Sequence, residues 1–313
     1  MADVATREVY GRTLVELGRE RPDLVVLDAD LSPSTMTCYF AEAFPERHFD
    51  CGIAEQNMVS IAAGLAASGK VVFASTFAVF AAPKVYDQVR MNLAQPGHNV
   101  KLVATHGGIT VGEDGFSHQA IEDLALMTVV PGLTVVVPAD GPEAEQAVRA
   151  AASHPGPFYI RLSRPKTAVV HGEGYRFELG RAEVLREGRD VTIIACGLLV
   201  PRALLAAEML AAGGLDCRVL NMATLKPLDE AAVEAAARET GAIVVAEEHL
   251  EQGALGGAVA RALARRHPVP VEFVSLKDCF GTSGPAEALL EKYCLTESHI
   301  AAAARRAVER KRA

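Results

Sequence analysis

The chain has 313 residues, half of them hydrophobic, and a formal net charge of −8. That length suggests two domains with sizeable cores, and the negative balance argues against non-specific nucleic-acid binding. No charged-then-apolar leader opens the sequence and no apolar run is long enough to span a bilayer, so it reads as a soluble, cytoplasmic protein with neither nucleic acid nor membrane as partner.

Strand-like apolar runs alternate with helical patterns through the first half. They are LVVLDAD (24–30), KVVFAST (70–76), VKLVATH (100–106), LTVVVPAD (133–140) and PFYIRLS (157–163). This alternation predicts an α/β fold, with mainly parallel sheets and crossover helices flanking them. The pattern breaks in a polar, glycine-bearing stretch. It resumes with VTIIACG (191–197), DCRVLNM (216–222), AIVVAEE (242–248) and VEFVSL (271–276), and ends in a helix rich in Ala and Arg. The expected organisation is two consecutive domains, 1–165 and 187–313, joined by a linker over 166–186. Six cysteines, at 38, 51, 196, 217, 279 and 294, show no Cys-x-x-Cys pair and no metal-ligand spacing, which fits a reducing compartment.

Three segments of the first half could carry chemistry. In DCGIAEQNMVSIAAGLAASGK (50–70), Met58, Ile61, Ala62 and Leu65 fall on one helical face and Gly69 ends the helix. Glu55 stands at its start, either as a first-turn carboxylate favoured by the helix dipole or as a buried glutamate aimed at a ligand. In STFAVFAAPKVYDQVR (75–90), Phe77 and Phe80 share a face if the helix has begun, and serve either as core or as a shelf for a flat heterocycle. The third is HGGITVGEDGFSHQ (106–119), a glycine-rich loop after a strand. It reads as a long, permissive loop at the end of a strand, where open α/β sheets place ligands. It holds His106, Glu113, Asp114 and His118, but no compact metal-binding cluster. In the second half, Glu247, Glu248 and His249 end a strand. They read as solvated loop residues, with an interface as the alternative.

The segments GIAEQNM, STFAVF, ATHGGITVGEDGFSHQ and IRLSR, in this order and spacing, resemble the thiamine-diphosphate enzymes of the transketolase family. The likeness covers that family's pyrimidine-binding domain followed by its C-terminal domain. Family members bind the diphosphate and Mg²⁺ through a Gly-Asp-Gly and a later Asn on a separate N-terminal domain, and no Gly-Asp-Gly occurs here. The chain therefore resembles the C-terminal subunit of a split, two-chain member.

The resemblance implies a transferase that moves a two-carbon ketol unit between sugar phosphates. It implies thiamine diphosphate as cofactor, with Mg²⁺ bound mainly by a partner N-terminal subunit. It also implies a dimer of this chain within a heterotetramer. Glu55 matches the residue that hydrogen-bonds the aminopyrimidine N1′, and Phe77 and Phe80 match the residues that stack on that ring. Asp30 matches an acid near the cofactor. A third aromatic is expected one helical turn later, where this chain has Pro83, with Tyr86 as a candidate substitute. Asp114 matches the contact to the substrate C2 hydroxyl, and His118 matches a catalytic residue beside the reacting carbon. Arg7, Ser34, His106 and Arg164 match a phosphate clamp. The alternatives are a deoxyxylulose-phosphate-synthase-like chain, a 2-oxoacid dehydrogenase β-subunit, and a non-catalytic scaffold.

Overall fold

The computed structural model describes residues 3–312; residues 1, 2 and 313, at the outer ends of the two expected domains, lie outside the described residues. In chain order the strands are β1 (Val4–Ala5), β2 (Leu24–Asp28), β3 (His48–Asp50), β4 (Val71–Phe77), β5 (Val100–Thr105), β6 (Thr134–Val136) and β7 (Phe158–Arg161). They continue with β8 (Lys166–Thr167), β9 (Glu183–Arg186), β10 (Val191–Ala195), β11 (Cys217–Asn221), β12 (Thr224–Lys226), β13 (Ile243–Leu250) and β14 (Val271–Leu276).

Two larger sheets result. One has seven strands in the order β12-β6-β7-β5-β4-β2-β3, and the other has five in the order β14-β13-β10-β11-β9. Every pairing in them is parallel except β12 with β6 and β9 with β11. The α/β expectation with mainly parallel sheets therefore holds. The physical cause is visible in β2, β4, β5 and β10, whose every residue is buried. Helices cover both faces of such strands, which favours unbroken apolar runs over alternation.

The stretch read as an irregular linker contributes two short strands. β8 pairs with β1, and β9 forms an edge of the five-stranded sheet. The two sheets are also joined directly. Immediately after β11, the chain crosses over and β12 pairs antiparallel with β6 of the first sheet. Ala223 accepts from Val137 N at 2.7 Å at that crossing. One apolar core runs through both sheets, with Leu27, Leu102 and Val135 in the same cluster as Ile194, Leu220 and Val245.

The helix Glu55–Ala67 buries Met58, Val59, Ala62 and Ala63 against the first sheet, while Ile61 is 39% exposed. The expected face was thus rotated. The helix is apolar nearly all round, so spacing alone left its phase undetermined. Gly69, just past the helix, has φ +90°, a conformation other residues rarely adopt. No helix among the described residues is long and apolar enough to cross a membrane.

Candidate active site

The carboxyl ends of β2, β4 and β5 lie side by side, and the chemistry-bearing residues gather there. β2 sits between β4 and β3, so successive crossovers run in opposite directions from it. This is where open parallel sheets leave a crevice for ligands. Phe77 is the last residue of β4, and the chain turns at once into the short helix Ala78–Ala81, which carries Phe80. Their rings stack with centroids 6.1 Å apart and planes within 10°. His106, directly after β5, stacks on Phe77 at 3.9 Å, and His118 meets Phe80 edge-on at 5.6 Å.

Glu55 is the first residue of its helix and only 2% exposed. The two readings of this residue are thereby joined, because it is both a first-turn carboxylate and buried. Its Oε2 has no hydrogen-bond partner among the described residues. The Lys84 ammonium makes ion-pair contact with that oxygen, without the alignment of a hydrogen bond, and also lies 5.2 Å from the Phe80 ring centroid. Pro83 opens the one-turn helix Pro83–Val85 that delivers Lys84. Tyr86, the candidate third aromatic, packs partly buried against the apolar core.

Basic groups surround His106. Burial pushes its pKa down to about 3, helped by the charges of Arg7, Arg164 and His118. Arg7 is itself lowered, first by burial and then by Arg164. Its Nη1 donates to the backbone oxygen of Ser34 at 2.7 Å, so this contact uses the Ser34 carbonyl and not its hydroxyl. The Arg7 Nε is buried without a hydrogen-bond partner among the described residues. Arg164 Nη1 donates to Val111 O and lies 3.3 Å from Glu113 Oε2. Arg7, His106, Arg164 and His118 are therefore one electrostatic neighbourhood. Asp114 is exposed at the end of the turn Ile109–Asp114. Asp30 is also exposed, with φ 61°, and its N–H donates to Asp50 Oδ1 at 3.1 Å. No hydrogen bond or ion pair joins either side chain to the cluster among the described residues.

The loop over 106–119, which the sequence suggested as a permissive frame, is partly buried and braced by hydrogen bonds. Ile109, Thr110, Val111 and Gly112 are buried. Thr110 N donates to Glu248 Oε1 at 2.7 Å, and Gln119 Nε2 donates to Ile109 O at 3.1 Å and Thr282 O at 3.0 Å. Gly108, at φ +79°, leaves no room for a Cβ because the Glu248 carboxylate lies against it. Of these braces, Glu248 and Thr282 come from the second half of the chain.

Glu247, Glu248 and His249 are accordingly not solvated loop residues. They lie in β13 and are 1%, 6% and 0% exposed. Glu247 accepts from Leu255 N and Gly256 N at the start of a helix, and His249 accepts from Ala125 N. Burial pushes the pKa of Glu248 up to about 7, against the opposing charge of Arg161. Arg161 in turn donates to Glu248 O at 3.0 Å and lies 3.4 Å from Asp123 Oδ2, which also accepts from Tyr159 Oη at 2.7 Å.

Sequence reasoning passed over Lys84, Arg161, Asp123 and Gln119. Arg161 and Lys101 are charged residues inside otherwise apolar strands, and such interruptions signal a buried, partnered charge. Nothing in the local pattern of Lys84 points to Glu55, because the contact depends on how two separate segments pack. Among the described residues, no group of three or more His, Cys, Asp or Glu could hold a metal ion.

Comparison with known proteins agrees with this architecture. Residues 2–169 match the transketolase pyrimidine-binding domain model and residues 180–300 match the transketolase C-terminal domain model. The chain is 43% identical over 305 residues to a 6-deoxy-6-sulfo-D-fructose transketolase subunit of Clostridium sp. (strain MSTE9), covering 97% of this chain and 95% of that one. It is 39% identical over 306 residues to Homo sapiens transketolase, covering 96% of this chain but 49% of the human one. A solved structure described as a split gene transketolase, inactive beta4 tetramer, superimposes with a TM-score of 0.91 at 51% identity. That match covers 99% of this chain and 100% of that one.

Proposed function

Because the chain belongs to the transketolase family, we propose that it is the pyrimidine-side catalytic subunit of a two-chain, thiamine-diphosphate-dependent transferase. It moves a two-carbon ketol unit between sugar phosphates. The observation that carries this reading is the buried Glu55 carboxylate, whose Oε2 meets only the Lys84 ammonium and makes no hydrogen bond among the described residues, near the stacked Phe77 and Phe80. A flat aminopyrimidine fits that combination, since its ring wants aromatic faces and its N1′ wants a carboxyl group that shares a proton.

When bound, thiamine diphosphate supplies the carbon nucleophile. Glu55 holds a proton at the pyrimidine N1′, while Phe77 and Phe80 fix the plane of the ring. Asp30 is assigned to the cofactor side of the site. His118 is assigned to bind substrate hydroxyls or move a proton, and Asp114 to take the C2 hydroxyl. Arg7, His106, Arg164 and the Ser34 region hold the anionic end of the sugar, a role suited to guanidinium groups. A partner chain with the diphosphate-binding domain supplies the diphosphate and Mg²⁺ contacts. Two copies of this chain join two partners in a heterotetramer located in the cytoplasm. Residues 1–165 and 187–313 are read as the two domains, with 166–186 joining them.

The same clamp suits a sulfonate, the group named for the Clostridium relative's sugar. The test is purification of this chain with and without a partner carrying Gly-Asp-Gly and Asn, followed by a ketol-transfer assay with thiamine diphosphate and Mg²⁺. Sugar phosphates and 6-deoxy-6-sulfofructose are offered in parallel. Activity should require both chains. Full activity from this chain alone, or none from the complex with either sugar class, overturns the reading.

A further inference from the structure

We propose that Lys84 is a positioning residue that competes with the cofactor's pyrimidine ring for Glu55, and thereby sets how tightly thiamine diphosphate is held. The inference rests on the function proposed above. Its basis is the Lys84 ammonium, which contacts Glu55 Oε2 and at the same time lies 5.2 Å from the centroid of the Phe80 ring. Phe80 is stacked on Phe77, so the ammonium that touches the carboxylate also lies beside the aromatic pair.

The two partners differ in freedom. The Glu55 side chain is 2% exposed and springs from the first residue of a helix, so it cannot follow a departing cation. The Lys84 side chain is 38% exposed and carries its charge on a flexible four-carbon stem, so it can swing into water. A ring nitrogen with a free lone pair needs the carboxyl group to offer a proton. An ammonium on the same oxygen favours the proton-free carboxylate, which only accepts. One oxygen cannot face both at contact distance. Seating the ring therefore breaks the ion pair. Once the lysine has swung away, that buried oxygen is open to the ring.

The test measures thiamine diphosphate binding by calorimetry, in the presence of Mg²⁺, to the complex of the full chain with its diphosphate-side partner. Wild type is compared with Lys84→Met and Lys84→Arg. Lys84→Met keeps the stem packed on Phe80 but removes the charge, and should lower Kd about tenfold, equivalent to ~1.4 kcal/mol. Lys84→Arg keeps the charge and should stay within about twofold of wild type, a rescue that a purely structural role would not give. Melting curves without cofactor report whether each variant folds, and Lys84→Gln replaces Lys84→Met if the latter does not. An unchanged or raised Kd in the uncharged variant overturns the competition and leaves the functional reading standing. If the wild-type complex takes up no thiamine diphosphate, both fall together.

Discussion

The imidazole of His106 stacks on the ring of Phe77 at 3.9 Å and is only 3% exposed, at a backbone φ of 60°. Burial, followed by the charges of Arg7, Arg164 and His118, holds its pKa at about 3. The folded value lies below the ordinary value of 6.5, so the unfolded chain binds the extra proton between those limits. The stability this contributes is complete above about pH 6.5 and is lost as pH falls through about 3. His106→Asn, which tolerates the positive φ, should flatten this acid limb. Urea midpoints taken at intervals between pH 3 and 7 check it, and parallel curves for the two proteins contradict it.

Glu55→Gln should leave the melting temperature close to wild type and remove most ketol transfer in the assembled complex. The amide keeps the shape but cannot share a proton with N1′. The expected loss in kcat is about 10²–10⁴-fold. Unchanged turnover removes Glu55 from the mechanism.

Arg164→Ala should raise KM for a phosphorylated ketose far more than it changes cofactor binding. Arg164 lies on the His106 side of the cluster, where its charge depresses that imidazole, and loses one charge-assisted contact costing on the order of 1.5–3 kcal/mol. Some loss in kcat is expected as well if the anionic end orients the reacting carbon. Phosphorylated and unphosphorylated ketoses are compared side by side. A wild-type preference that survives the substitution intact shows that the clamp is misread.

His171 ties the linker to both sheets. Its Nδ1 pairs with Asp140 at 2.9 Å and its Nε2 with Glu183 at 2.9 Å, while Glu143 lies 3.9 Å away. Glu143 also accepts from Tyr175 and Asn221. Burial works to lower the His171 pKa, but the Asp140 hydrogen bond and the surrounding carboxylates outweigh it, and the net shift is upward. A raised folded value means that the stabilisation is fully present below the unfolded value near 6.5 and is lost as pH rises through the folded value. His171→Asn should cost about 3–5 kcal/mol near pH 6 by leaving buried carboxylates without their cation, and less at pH 9. Thermal unfolding at the two pH values measures the gap; a gap that widens with pH contradicts the assignment.

Much of the fold was legible in local pattern. The runs containing β2, β4, β5 and β10 are largely apolar, and every residue of those strands is buried, as a sheet covered on both faces requires. β9 and β12 were not legible, since each is a short edge strand whose pairing partner lies elsewhere in the chain. The phase of the helix Glu55–Ala67 was also hidden, because its many Ala residues give nearly every face the same hydropathy.

The sequence by itself determined which residue types are available to the site and roughly where each falls relative to a strand end. The spacing of apolar runs and helix starts put Glu55 near a helix start and Phe77 and His106 near strand ends, while their assignment to a site rests on the family resemblance. Tertiary structure decided which of them meet. It set His106 on Phe77, placed Lys84 against Glu55, and buried Glu247, Glu248 and His249 beneath a loop more than a hundred residues away in the chain. It also left Asp30 and Asp114 exposed. The physical reason is that periodicity reports only which side of an element is apolar. Whether a charged group is buried depends on the partner that another segment brings to it, and desolvation is tolerated only where that partner arrives.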